Sequence, residues 1–69
     1  MINVKTKNLS SREILQILFE NGWYIERIDG SHHILKHPEK NNPVIVPHPR
    51  KALKQGTIRS IFKQAGLLN

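Results

Sequence analysis

The chain has 69 residues, 38% of them apolar and 6% aromatic, and 11 Lys+Arg against 5 Asp+Glu give it a formal net charge of +6. A single domain this short buries roughly 60% of the surface its unfolded form exposes, which excludes an enclosed dinucleotide-binding fold and leaves a thin margin of stability. The absence of cysteine excludes a disulfide framework, a thiolate zinc site and a thiol nucleophile.

No apolar run approaches the ~18 residues of a membrane span, and the start, Met1-Ile2-Asn3-Val4-Lys5, leads into polar residues, so a cytoplasmic protein with no membrane partner is expected. The charge is unevenly spread. Lys5, Lys7, Arg12, Arg27 and Lys36 are balanced by Glu13, Glu20, Glu26, Asp29 and Glu39, whereas Lys40, Arg50, Lys51, Lys54, Arg59 and Lys63 have no acid among them. Such a field favours a polyanion or an acidic protein partner.

In chain order, Ser10-Ser11-Arg12-Glu13 has the spacing of a capping box, with Leu9 and Ile14 at the staple positions. Ile14, Leu15, Leu18 and Phe19 repeat at helical spacing, and Asn21-Gly22 supplies a left-handed stop, so the first helix is expected over about 11–21. Trp23 then reads as a core anchor, with base stacking as its alternative use. Residues 23–28 are aromatic and β-branched and run into Asp29-Gly30, a hairpin signal, with Ser31 to His37 as the return strand. After a turn at Pro38 to Asn42, Pro43-Val44-Ile45-Val46-Pro47 is a short strand bracketed by prolines. His48 to Gly56 reads as a basic loop with Thr57 as the cap of a second helix. In that helix Ile58, Ile61, Phe62 and Ala65 form the apolar stripe, Arg59 and Lys63 lie opposite, and Gly66 is the stop. The order is α-β-β-β-α: an α+β fold with two helices on one face of a three-stranded antiparallel sheet, similar in outline to the double-stranded-RNA-binding domain, and an open second face.

Gly30-Ser31-His32-His33 begins the return strand. Strand alternation puts His32, Ile34 and Lys36 on one side and His33, Leu35 and His37 on the other. Lys36 needs water, so the His32 side is expected to be the open face, although Ile34 fits it poorly. His33 then reads as a partly buried residue hydrogen-bonded to backbone. No metal site is expected, because His33 and His37 stand roughly 13 Å apart along a strand, too far for two ~2 Å metal bonds. An exposed imidazole suits proton transfer. RNA carries its own nucleophile, the 2′-hydroxyl, so one histidine base beside a cation such as Lys36 is a sufficient minimum for cutting it. Arg50, Lys51, Lys54, Arg59 and Lys63 are the further phosphate-contact candidates.

Together Asn21-Gly22-Trp23, Gly30-Ser31-His32-His33, Lys36-His37-Pro38, Val44-Ile45-Val46-Pro47, Gly56-Thr57-Ile58-Arg59-Ser60-Ile61 and Lys63-Gln64-Ala65-Gly66 resemble the HicA family of toxins from toxin–antitoxin pairs. The resemblance runs from about Ser11 to Leu67. It implies a metal-independent, cofactor-free endoribonuclease that cuts mRNA and so inhibits translation. His32 falls at the catalytic position, with Gly30 and Ser31 forming the turn that positions it. It also implies a HicB-like antitoxin that covers the active face and carries any DNA-binding part, so the chain alone is not expected to bind DNA. A single domain over residues 1–69 is expected, with residues 1–9 as a flexible lead. His48, where relatives vary, receives no catalytic role. Alternatives from other classes are a non-catalytic RNA-binding module and a protein whose basic face serves only to bind its partner.

Overall fold

The first helix starts where two serines meet a glutamate. In the computed structural model, which describes residues 8–68, Ser10 Oγ accepts the Glu13 N–H at 3.1 Å and the Glu13 carboxylate accepts the Ser10 N–H at 2.9 Å. This closes the expected capping box of α1 (Ser11–Glu20). The helix ends in a Schellman motif, with Gly22 N–H donating to the Phe19 carbonyl at 3.1 Å and Trp23 N–H to the Leu18 carbonyl at 3.0 Å. Ile14, Leu15 and Leu18 are buried as expected, whereas Phe19 is 43% exposed. The buried stripe is shifted toward the N-terminus and begins at Ser11.

The strands are β1 (Tyr24–Asp29), β2 (His32–Lys36) and β3 (Val44–Pro47), antiparallel in the order β1-β2-β3. The hairpin loop is Gly30-Ser31, one residue later than the Asp29-Gly30 signal, because Asp29 pairs with His32 as the closing pair. Gly30 has φ +57° and Ser31 a negative φ, the signs of a type II′ turn, which needs a left-handed residue only at its first position. The return strand ends at Lys36 rather than His37.

The second helix, α2 (Gln55–Gln64), starts two residues before the expected cap. Lys54 is its N-cap with no side-chain cap bond, and Thr57 lies within the first turn. Its end repeats the motif of α1, with Gly66 N–H donating to the Lys63 carbonyl and Leu67 N–H to the Phe62 carbonyl. The loop between β3 and α2 is sewn to the start of α1: Ser11 N–H donates to the Arg50 carbonyl at 3.0 Å, Leu53 N–H to the Leu9 carbonyl at 2.9 Å, and Gln55 Nε2 to Asn8 Oδ1 at 2.9 Å. Of the expected lead over 1–9, residues 1–7 lie outside the described residues.

Register divides the sheet into two faces. Leu35 pairs with Val44, and His33 with Val46; Leu35, Val44 and Val46 are fully buried and cluster with Ile14, Leu18, Trp23, Ile58 and Phe62. That is the helix-covered face, where each large apolar side chain contributes on the order of 1.5–3 kcal/mol by leaving water. Both helices pack on β3, and β1 projects past them as an edge strand with all six residues exposed. The opposite face presents His32 with Asp29 and Pro47 beside it, and Ile34 between Arg27 and Ile45.

Candidate active site

His32 opens β2 on the uncovered face, as alternation requires. It is exposed, and Asp29 and Pro47 are its direct cross-strand neighbours. No hydrogen bond engages its ring among the described residues. The loop glycine that starts this strand has open space where a β-carbon would stand. Conformation is therefore the requirement at Gly30, not room.

The charges on this face are paired with one another. A register shift between Ile25 and Arg27 inserts Glu26 as a bulge residue, so that Glu26 and Arg27 both reach the open side. Lys36 Nζ stands 3.1 Å from Glu26, and Arg27 reaches Glu26 at 3.5 Å and Asp29 at 3.0 Å. The hydrogen bond to Asp29 pushes the Arg27 pKa above its ordinary value. Ile34, which alternation also places on this side, is only 5% exposed although it lies outside the main core. As the central-strand residue it is flanked by Arg27 and Ile45 and needs no helix to cover it.

Behind the open face, His33 and His48 meet with ring centroids 4.8 Å apart and planes at 76°. The Nδ1 of His33 is buried with no hydrogen-bond partner among the described residues, so the backbone bond expected for this residue is not made there by any of them. Burial, with a smaller contribution from His48, pushes the His33 pKa below its ordinary value. His48 Nδ1 lies 2.6 Å from Ser11 Oγ. Ser11 is 1% exposed, and its hydroxyl also accepts the Arg50 N–H at 2.8 Å. A buried hydroxyl left unsatisfied costs about 1–3 kcal/mol, so this full set of partners explains how a serine persists in the apolar stripe. The remaining histidine, His37, donates from Nε2 to the Asn21 carbonyl at 3.0 Å and accepts the Glu39 N–H on Nδ1 at 3.0 Å. It packs edge-on against Trp23, whose 3% exposure makes it a core residue and removes its face from any base.

The cations do not form one patch. Lys36 shares the open face with His32. Arg50 and Lys51 follow β3 at the His32 end of the sheet and, with Arg12, Ser11, His48 and Pro49, line an open cleft of about 420 Å³. Lys54 caps α2, and Arg59 and Lys63 are exposed on that helix, in the layer behind the sheet. Arg12 and Arg27 are cations near the site that spacing alone did not mark. Among the described residues no group of three or more His, Cys, Asp or Glu is arranged to hold a metal ion, and no helix is long and apolar enough to cross a membrane.

The family model described as HicA toxin of bacterial toxin-antitoxin matches residues 11–67. The chain belongs to the HicA family. As a HicA protein it is the toxin of a toxin–antitoxin pair and has a cognate antitoxin. The match begins at Ser11, the residue bonded to His48, and takes in the whole hairpin, the β3–α2 loop and both helices. No curated protein matches the chain.

Proposed function

We propose that this HicA chain is a metal-independent endoribonuclease that cuts mRNA in the cytoplasm and lowers translation, with His32 as its general acid or base. The observation that carries this reading is the state of the His32 ring: exposed, without a hydrogen-bond partner among the described residues, and held at the first position of β2 by a two-residue loop. An imidazole free at both nitrogens accepts a proton at one and delivers a proton from the other. Acting as base, it takes the proton of an RNA 2′-hydroxyl. The oxygen attacks the adjacent phosphorus, the bond to the 5′-oxygen breaks, and that oxygen takes a proton from the other nitrogen of His32 or from water as it leaves.

The extra charge on the phosphate in the transition state calls for cations. Arg27, the partner of Ile34, is two strand positions from His32, whereas Lys36 lies four residues along β2, roughly 13 Å away, and takes a neighbouring phosphate; its pairing with Glu26 is no obstacle. A half-exposed ion pair is worth about 0–1 kcal/mol, and a doubly contacted phosphate competes with it readily. Arg50 and Lys51 are placed to take the neighbouring phosphates. Lys54, Arg59 and Lys63 carry a longer RNA around the helix layer. The same open face and basic end suit an acidic surface on a HicB-like antitoxin, which would cover His32 and would stabilise a small domain by mass action.

Incubation of the purified chain with a long unstructured RNA in the presence of a chelator tests the proposal. Fragments support it. RNA bound with steep salt dependence and left uncut favours the non-catalytic binding module instead.

A further inference from the structure

His48 touches the residue on each side of His32. Its N–H donates to the Ser31 carbonyl at 2.7 Å, and its ring meets that of His33 at 4.8 Å. The Ser31 carbonyl belongs to the peptide whose nitrogen is that of His32, so the bond fixes the plane from which the His32 side chain projects. Pro47, the residue before His48, is the cross-strand partner of His32. His48 is itself anchored: its Nδ1 lies 2.6 Å from Ser11 Oγ, and Ser11 is bonded to both the N–H and the carbonyl of Arg50. The anchor is buried and belongs to the first turn of α1, a rigid element of the core.

We propose that Ser11 and His48 form a positioning pair for His32, linking the start of α1 through residue 48 to the Ser31–His32 peptide. The inference rests on the reading of His32 as the acid or base. Because no described residue is hydrogen-bonded to the His32 ring, its aim is set by its backbone, and displacement of a reacting group by about 1 Å costs on the order of 10²-fold in rate. The link does not depend on one tautomer. When His48 Nδ1 is bare, the Ser11 hydroxyl donates to it; when Nδ1 carries a proton, the hydroxyl accepts and turns to the Arg50 carbonyl at 3.2 Å.

The test compares wild type with Ser11→Ala, His48→Leu and His48→Asn, the last keeping a polar atom near the position of Nδ1. Rates on a long RNA are normalised to the folded fraction. Ser11→Ala and His48→Leu are expected to lower kcat by about 10- to 100-fold with KM within about twofold, and His48→Asn to recover most of the loss. If Ser11→Ala does not fold, the contrast between His48→Leu and His48→Asn decides. A kcat per folded molecule within about twofold of wild type in both His48 variants overturns the proposal. Amide exchange at residue 48, the donor to Ser31, gives a readout independent of cleavage. It should be at least about tenfold faster in Ser11→Ala, and unchanged exchange overturns the link. Should wild type cut no RNA, the assignment of His32 fails, and exchange still decides whether Ser11 and His48 hold the turn.

Discussion

His37 fills the space beside Gly22: a β-carbon at residue 22 would lie 2.9 Å from His37 Nε2, the atom that donates to the Asn21 carbonyl. Gly22 also has φ +91°. Gly22→Ala therefore combines left-handed strain of roughly 1–2 kcal/mol with displacement of a histidine that is bonded at both nitrogens. The expected loss is about 2–4 kcal/mol in urea denaturation, a large share of the stability of so small a domain.

Gly30→Ala provides the contrast. Its φ of +57° carries the same strain, but no atom of the described residues stands within 4 Å of the added carbon. The loss should be about 1–2 kcal/mol, below that of Gly22→Ala measured under the same conditions. An equal or larger loss would show that the loop is held by contacts other than its backbone geometry.

His33 makes stability depend on pH. Its pKa in the fold is lowered, so between that value and the ordinary value near 6.5 the unfolded chain binds more protons than the folded one. Its contribution is present above about pH 6.5 and is lost as pH falls below it toward the folded-state value. The urea midpoint should drop between pH 7.5 and pH 5, and the drop should be smaller in His33→Gln. An identical drop in the variant would move the effect to other groups.

Binding of RNA should report which cations it meets. Each phosphate contact on a single strand contributes about 0.7 to the slope of log affinity against log salt. Replacing Arg50 and Lys51 together by Ala should reduce the slope by about 1.4 and weaken RNA binding. Arg59→Ala with Lys63→Ala should lower affinity with less effect on cleavage of a short substrate, since α2 lies behind the sheet.

Much of this architecture was legible because local chemistry and global packing agree. The capping box, the prolines around Val44–Val46 and the strand alternation from His32 each point to the element observed. Where they failed, a longer-range choice won. The loop lies at Gly30-Ser31 instead of Asp29-Gly30: Asp29 pairs with His32 and Ile28 with His33, which sets Ile28 on the same side of the sheet as His33 and Val46. The bulge at Glu26 leaves no mark in the sequence, yet it brings Glu26 to Lys36. Thr57 is not the cap: Lys54 holds that position, directly after Leu53, whose N–H is bonded to the Leu9 carbonyl. The contact between Ser11 and His48 spans 37 positions and had one local sign: a serine in the first slot of the stripe Ser11, Ile14, Leu15, Leu18, where an apolar residue would be the default.

The central claim is tested most directly by cleavage of a long unstructured RNA in chelator by wild type and His32→Ala at equal, verified folding. The account predicts that wild type cuts, that the variant is slower by at least about 10²-fold, and that its RNA affinity stays within about twofold. Cutting by His32→Ala at the wild-type rate would contradict it.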